Sequence, residues 1–364
     1  MMLAERIWCR GFRNLGEFEL DLPPSGALFL GPNAHGKTSI LESLYYPVLY
    51  RSFRNAPDTE VSAWDGPGFS LTLDSAVGGR RYCTSVGFDR ETHRKRVVAD
   101  GVEVGRITDA VGKWLAVVFL PTDLNLLQGG AAERRRFLDR MLSLSDPEYL
   151  RALLKYRAVL AQRNAALRAG EAEVVMVFTA AMVEPGSYVV ARRLLWVAEC
   201  AERYAKESEG LGEQGRVTLS YQGNPDLAEA GAWSASVAEV ERREFHRGAT
   251  LIGPQRDDLQ IRLNGRSLRE FGSTGQQRAA AVVLKVCELL TLEEAHGQTP
   301  AFLLDDVFAE LDRSRQERLT ARLAGPGMGQ VFLTAPRRDE LPSAIDLEVF
   351  HVRDGRAHPA EVTV

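Results

Sequence analysis

Gly31-Pro32-Asn33-Ala34-His35-Gly36-Lys37-Thr38 reads G-x-x-x-x-G-K-T, a phosphate-binding loop when it joins a strand to a helix. Both neighbours have the required character. Ala27-Leu28-Phe29-Leu30 is a short apolar run that predicts a buried strand. Thr38-Ser39-Ile40-Leu41-Glu42-Ser43-Leu44 predicts a helix with Ile40, Leu41 and Leu44 on one face. Such a loop aims backbone N–H groups at a phosphate, on the positive end of the helix dipole. Asn33, Ala34, Gly36 and Ser39 are then candidate phosphate contacts. Lys37 reaches the β- and γ-phosphates, and the Thr38 hydroxyl sits on Mg²⁺. The chain is therefore expected to bind a nucleoside triphosphate.

Bulk properties narrow the class. The 364 residues suffice for two domains and a large core. A hydrophobic content of 45% with 26% charged residues is that of an ordinary soluble protein. No apolar run approaches about 18 residues, so no membrane span is expected, and the N-terminus lacks an apolar secretory segment. Cys9, Cys83, Cys200 and Cys287 are far apart and form no C-x-x-C pair. They fit isolated thiols in a reducing cytoplasm. A net charge of −4 excludes a uniformly basic, chromatin-like protein. It leaves room for a local basic surface that meets nucleic acid.

Residues 1–130 alternate strand-like runs with turns. Ile7 to Cys9, Phe18 to Leu22, Phe69 to Leu73, Tyr82 to Val86 and Val97-Val98 predict an antiparallel subsheet, with turns at Gly78-Gly79 and Asp100-Gly101. Ala116 to Leu120 predicts a further buried strand. From Glu133 to about Arg247 the pattern is mostly helical. Leu153, Leu160 and Leu167 recur at seven, and Val190, Leu194, Val197, Ala201 and Tyr204 follow 4-3-4-3 spacing, compatible with a short coiled-coil arm or with ordinary antiparallel packing. Pro185-Gly186, Gly210 to Gly215 and Gly223-Asn224-Pro225 are expected to break this region. Strand and turn signals return at Ile261 to Leu268, where Asn264-Gly265 predicts a type I′ turn. A helix from about Gln276 to Ala295, strands at Ala301 to Leu304 and Val331 to Thr334, and a hairpin around Asp354-Gly355 follow. The expected organisation is a discontinuous head, residues 1–130 and 250–364, split by a helical arm, residues 131–249.

Phe302-Leu303-Leu304-Asp305-Asp306 is an apolar strand ending in two acids. An acid there, beside a phosphate loop, can hold Mg²⁺, the role expected of Asp305, with Asp306 placed to orient or deprotonate the attacking water. Ser273-Thr274-Gly275-Gln276-Gln277-Arg278 opens the preceding helix. Alone it is an ordinary helix cap. The order of phosphate loop, S-x-G-Q-Q helix start and doubly acidic strand resembles the ABC-type ATPases, including the SMC and Rad50 heads. The resemblance implies an α/β, SMC/Rad50-like P-loop ATPase head with a helical arm insertion. It implies an ATP-dependent homodimer in which Ser273, Gly275 and Gln276 of one subunit close over ATP held by the other. Arg13 resembles the arginine that such heads place near the phosphates.

Arg10 to Leu15, Gly31 to Leu41, Arg51-Ser52-Phe53-Arg54, Ala132 to Asp139, Gly253 to Asp258, Gly275 to Arg278 and Leu304 to Asp312 resemble the bacterial RecF family. Glu310-Leu311-Asp312 stands where that family carries a dimer-contacting loop. The resemblance implies a cytoplasmic, ATP-dependent clamp in the recombinational repair of single-strand gaps. It would bind duplex and gapped DNA and work with RecR and RecO to load RecA. The chain departs from the wider superfamily at two points. Pro121-Thr122-Asp123 stands at the Q-loop position without a glutamine at its tip, leaving Asp123 as a candidate metal-linked residue and Gln128 as a solvated turn residue. Thr334-Ala335-Pro336 stands where transporters carry a switch histidine, which implies slow turnover. Arg90, Arg94, Lys95 and Arg96, Arg134 to Arg136, and Arg192-Arg193 are candidate DNA-phosphate contacts or simply solvated charge. A transporter ATPase subunit or a structural ATP-binding scaffold shares the motifs. The missing histidine and the inserted arm weigh against the first, and intact Lys37, Thr38, Asp305 and Asp306 against the second.

Overall fold

A computed structural model describes residues 1–106, 110–309 and 311–360. The chain begins with the hairpin β1 (Met2–Phe12) and β2 (Leu15–Asp21), then β3 (Gly26–Leu30) and α1 (Lys37–Leu49). A short α2 (Asp58–Val61) precedes β4 (Gly68–Val77), β5 (Arg80–Asp89), β6 (Arg94–Ala99), β7 (Val102–Glu103) and β8 (Ala116–Phe119). Next come α3 (Asn125–Gln128), α4 (Ala131–Ser145), α5 (Pro147–Ala169), α6 (Ala172–Gly210), β9 (Val217–Gln222) and α7 (Ala232–Arg247). The last part holds β10 (Asp258–Leu263), β11 (Arg266–Ser267), α8 (Leu268–Phe271), α9 (Thr274–His296), β12 (Ala301–Asp305), α10 (Arg313–Leu323), β13 (Val331–Ala335), β14 (Glu348–Arg353) and β15 (Arg356–Pro359).

These elements form two compact units: residues 1–123, 210–212 and 284–364, and residues 124–209 and 213–283. The segment 250–283 groups with the helices, where the sequence reading had put it with the head, because β10 pairs with β9 along its whole length.

In the first unit β1 to β7, without β3, make an antiparallel sheet of order β2-β1-β4-β5-β6-β7. The second sheet has order β15-β14-β3-β13-β12-β8, with β3, β13, β12 and β8 parallel. These four strands are buried at every position. That explains their unbroken apolar runs: a parallel strand covered on both faces has no polar face to alternate. Burial is nearly as complete along α1, where Ser39, Glu42, Ser43 and Tyr46 are inside along with Ile40, Leu41 and Leu44, and Thr38 and Leu49 are half-buried. A single apolar face was too narrow an expectation for a helix enclosed on all sides.

The second unit is mostly helical, with the small sheet β11-β10-β9. Asn264 and Gly265, with φ of 50° and 78°, form the expected type I′ turn. Val190, Val197 and Tyr204 of α6 are buried, as are Leu153 and Leu167 of α5. The expected break at Pro185-Gly186 does not occur: α6 runs through it. A proline inside a helix removes a hydrogen bond and costs ~3 kcal/mol, so packing must offset it. Gly186 shows how. A Cβ there would lie 2.6 Å from the Trp233 ring, so the missing side chain lets the indole lie on the helix. Its Nε1 donates to Ser187 Oγ at 2.8 Å and to the Leu227 carbonyl at 2.9 Å. Tyr156, Met182 and Val190 complete this core. By length and composition α6 could cross a membrane, with a window of mean hydropathy 1.6, which counting uninterrupted apolar runs did not reveal. Met182, Val189 and Val190 from it are fully buried within the unit.

Candidate nucleotide site

The parallel sheet brings the sequence motifs together at the carboxyl ends of its strands, where α/β sheets bind ligands. β13 lies between β3 and β12, pairing Thr334 with Phe29 on one side and with Asp305 on the other. The phosphate loop leaves β3 and turns into α1 at Gly36, whose φ is 109°. Only glycine adopts that angle without strain, and a Cβ there would also lie 3.1 Å from the Leu15 side chain and 3.3 Å from the Gly355 Cα. Ala34 is held at φ 67°, a conformation costly to a residue with a Cβ. No side chain caps α1 and its first turn has no acid. The first-turn N–H groups have no partner within the helix, so the loop and helix dipole favour an anion.

Around the loop is a cavity of about 560 Å³, lined in part by Asn33, Ala34, Gly36, Lys37, Thr38 and Ser39. Lys37 Nζ donates to the Gly31 and Pro32 carbonyls at 2.5 and 2.9 Å. Burial lowers the pKa of this ammonium, and Asp305, Asp306 and Glu340 act in the opposite direction. Thr38 donates its hydroxyl to Asp305 Oδ1 and Oδ2 at 3.0 and 2.9 Å. Thr334 donates to Asp305 Oδ1 at 2.7 Å and accepts from the Asp306 N–H at 3.1 Å. Asp306 sits at φ 50° on the cavity wall. Thr38 and Asp305 thus supply two hard oxygens side by side. That suits Mg²⁺, which takes one or two protein carboxylates and completes its shell with water and phosphate. No cluster of three His, Cys, Asp or Glu side chains occurs among the described residues.

Arg13 also lines the cavity, but its guanidinium is bonded on every nitrogen. Nε and Nη2 grip the buried Glu42 at 2.9 and 2.7 Å, and Nη1 donates to the Glu60 carbonyl at 2.8 Å. It braces α1 against the β1–β2 turn. Asn14, next to it, donates to the Ala34 carbonyl at 3.0 Å and accepts from Ser39 Oγ at 2.7 Å. The sequence reading missed Asn14 and the bonds of Thr334; a polar residue in a hairpin turn and a hydroxyl ending a core strand are the signals that mark them. Asp123 is bonded locally and is not among the residues lining the cavity. Its carboxylate accepts from the Leu120 N–H at 2.8 Å and lies 3.5 Å from buried Lys285. Pro121 of that turn is the residue that reaches the cavity.

In the second unit, Ser273 and Gln276 cap α9 reciprocally. The Ser273 N–H donates to Gln276 Oε1 at 3.0 Å and the Gln276 N–H to Ser273 Oγ at 3.3 Å, a capping box. The Ser273 hydroxyl accepts in this bond and keeps its own proton for an outside acceptor. Gly275 lies between them, in the first turn. Gln128, expected to be a solvated turn residue, donates to Gln277 at 2.8 Å. Leu311 and Asp312 are described, with Asp312 capping α10, and Glu310 falls outside the described residues.

Several candidate DNA contacts are committed internally. Arg90 donates to the Thr59, Ala63 and Trp64 carbonyls at 2.6–3.0 Å. Lys95 pairs with Asp58 at 2.7 Å. Arg134, buried, grips Asp258 through two nitrogens. Arg193, also buried, bonds Asp139, Tyr149 and the Pro254 carbonyl. A charge run in sequence does not distinguish a buried arginine with several acceptors from a solvated one. Arg94, Arg96 and Arg136 stay exposed.

Phosphate loop, an acid-ended strand one position removed from it and the parallel sheet order define an ABC-type ATPase head of the SMC/Rad50-like class. The Smc head domain of Pyrococcus furiosus shares this fold, at a TM-score of 0.58 and 13% identity, covering 99% of this chain and 96% of that one. A structure of the recombination mediator protein RecF with ATP, of the RecFOR pathway, superposes at a TM-score of 0.88 with 26% identity, covering 99% of this chain and 98% of that one. The DNA replication and repair protein RecF of Chloroflexus aurantiacus is 34% identical over an alignment of 368 positions that covers 92% of this chain and 93% of that protein. Its counterpart in Herpetosiphon aurantiacus is 33% identical over 99% of this chain and 100% of its own. No protein-family model matches the chain. The chain belongs to the RecF family of DNA replication and repair proteins.

Proposed function

We propose that the cavity binds Mg²⁺-ATP and that ATP switches the protein into a DNA-holding homodimer. The observation that carries this is the approach of Thr38 to Asp305, with Lys37 on the same wall. Asn33, Ala34, Gly36, Lys37 and Ser39 hold the phosphates. Thr38 and Asp305 hold Mg²⁺, which supplies charge neutralisation at the β- and γ-oxygens. Asp306 orients the attacking water, and Arg13 stabilises the loop from behind through Glu42. Ser273, Gly275 and Gln276 present a capped helix start to the γ-phosphate of the other subunit.

With Thr334 where a switch histidine would stand, no imidazole assists the water, and turnover is slow. Although 250–283 packs with the helical unit, it carries Ser273, Gly275 and Gln276, so by function the head is residues 1–130 and 250–364 and the arm 131–249. Exposed arginines supply salt-sensitive, sequence-independent contacts to duplex and gapped DNA. Membership of the family supports a cytoplasmic place beside RecR and RecO in loading RecA. The test is molecular mass in solution without nucleotide, with ADP and with ATP, each with and without duplex DNA. A monomer that dimerises only with ATP and then binds DNA more tightly is the expected result. A mass indifferent to nucleotide would overturn the switch.

A further inference from the structure

β14 runs parallel to β3, and their pairing ends at His351 and Leu30, the last residue of β3. The β14–β15 hairpin carries on beyond that point. Its two-residue turn, Asp354-Gly355, has φ of 51° and 74°, a type I′ turn. The turn reaches past the sheet to the phosphate loop. The Gly355 N–H donates to the His35 carbonyl at 3.0 Å, and the Asp354 N–H to His35 Nδ1 at 3.2 Å. An accepting Nδ1 on a neutral imidazole places its proton on Nε2. A Cβ on Gly355 would collide with the Asn14 carbonyl and lie 3.2 Å from the Leu15 Cα, so glycine lets this turn close on the β1–β2 turn as well. Three segments far apart in sequence, all of the first unit, meet at the crest of the loop.

A trans peptide is planar, and its C=O and N–H point in opposite directions. Asn14 Nδ2 holds the Ala34 carbonyl at 3.0 Å, and the Gly355 N–H holds the His35 carbonyl. The N–H groups of His35 and Gly36 belong to those same two peptide planes and are turned the other way. Neither bonds a protein group among the described residues. Successive N–H groups aimed in this way make an anion-binding nest. The loop does not hold this form cheaply by itself, since Ala34 sits at φ 67°, a costly angle for a residue with a Cβ. We infer that His35 and Gly355 are positioning residues of the phosphate site: the β14–β15 turn, with Asn14 on the adjacent carbonyl, presets the amide donors of the loop before phosphate arrives. This rests on the reading that the loop holds a triphosphate. Pairing with β3 needs no hairpin longer than β3, and the overhanging turn serves the loop.

Inorganic tripolyphosphate with Mg²⁺ probes the loop without a nucleoside. Its affinity, and the melting temperature without ligand, are measured in the full-length protein for Gly355→Ala, His35→Ala, His35→Asn, Gly101→Ala and Lys37→Ala. Gly101 controls for backbone strain. Asp100-Gly101 is the same dipeptide at φ 52° and 80°, but a Cβ on Gly101 meets nothing within 4 Å. Gly355→Ala is expected to weaken tripolyphosphate by about tenfold or more, through lost preorganisation. His35→Ala is expected to weaken it by about three- to tenfold, the worth of one hydrogen bond. His35→Asn should recover most of that, because its Oδ1 accepts in place of Nδ1. Gly101→Ala should melt lower than the wild type and bind tripolyphosphate equally well. Wild-type affinity in His35→Ala, or in a folded Gly355→Ala, overturns the inference. So does equal weakening in Gly101→Ala, or a His35→Asn that binds no better than His35→Ala. Lys37→Ala separates the two levels. If it binds tripolyphosphate like the wild type, the phosphate site itself falls and the brace with it. If it loses the ligand while His35→Ala and Gly355→Ala bind normally, the brace alone falls.

Discussion

Thr38 donates its hydroxyl to both carboxylate oxygens of Asp305, at 3.0 and 2.9 Å, joining the start of α1 to the end of β12. Under the proposed function these two groups would share Mg²⁺. Asp305→Asn and Thr38→Ala are expected to remove the metal-dependent part of ATP affinity. In the wild type, EDTA should weaken ATP binding by at least about tenfold, or ~1.4 kcal/mol. In Asp305→Asn, binding with EDTA and with Mg²⁺ should be equal. Calorimetric titration checks this, and a metal response that survives in Asp305→Asn would remove Asp305 from the site.

Asp306 is placed by its backbone, at φ 50° with its N–H on Thr334 Oγ1. Asp306→Asn keeps size and hydrogen bonding and removes the basic oxygen. Single-turnover hydrolysis is expected to slow by about 10²-fold or more, the scale of general-base assistance, and the ATP-bound dimer to persist longer. Turnover equal to wild type would show that water is activated elsewhere.

Ser273 makes the capping box with Gln276, so its substitution has two consequences that must be separated. Ser273→Ala loses a cap worth ~1 kcal/mol of stability. Ser273→Arg is expected to block ATP-driven dimerisation while ATP binding by the monomer stays within about twofold of wild type. Ser273→Thr keeps the cap and should restore dimerisation. If Ser273→Arg dimerises normally, the composite site is wrong.

Much of this site was legible because chemistry constrained spacing: Gly31 to Thr38 between an apolar strand and a helix, and two acids closing Phe302 to Asp306. The parallel strands were visible for the same reason, as their apolar runs admit no polar face. What escaped was set by partners distant in sequence. Pro185 reads as a breaker until Trp233 is laid on Gly186. Arg193 reads as surface charge until Asp139 and the Pro254 carbonyl are beside it. Asp123 was drawn toward the metal by position alone, whereas its carboxylate closes a local turn beside Lys285.

The thiols offer a pH-dependent check of the core. Cys9, Cys200 and Cys287 are buried and Cys83 is exposed. Burial pushes the Cys9 thiol up to about 12. Partial burial and the neighbouring Asp74 carboxylate raise Cys83 above the ordinary thiol value. A raised pKa leaves less thiolate at neutral pH, and the thiolate is the reactive form. In the folded protein, Ellman's reagent should therefore modify one thiol, more slowly than a free cysteine at pH 8, and faster as pH rises. All four should react in denaturant. Rapid modification of two or more in the native state would mean that β1, α6 or α9 opens readily.

Arg193 and Arg94 separate structural from solvated charge. Arg193 is 2% exposed and bonds Asp139 at 2.7 Å, with Asp257 at 3.4 Å. Arg94 is exposed at the start of β6. Arg193→Ala takes the guanidinium from the buried Asp257 and leaves Asp139 with Arg157 and Tyr149, and breaking a buried pair in this way costs ~3–5 kcal/mol. Burial already raises the Asp257 pKa against the pull of Tyr221 and Arg193, so losing the guanidinium drives it further up. Urea unfolding at neutral pH should show a lower midpoint for Arg193→Ala, with the deficit shrinking as acid protonates Asp257. Arg94→Ala should unfold within about 0.5 kcal/mol of wild type. If Arg94 meets DNA, its loss lowers affinity and flattens the salt dependence by about one counterion. An Arg193→Ala protein as stable as wild type, yet with a flattened salt dependence, would reverse the assignment and return Arg193 to the DNA surface.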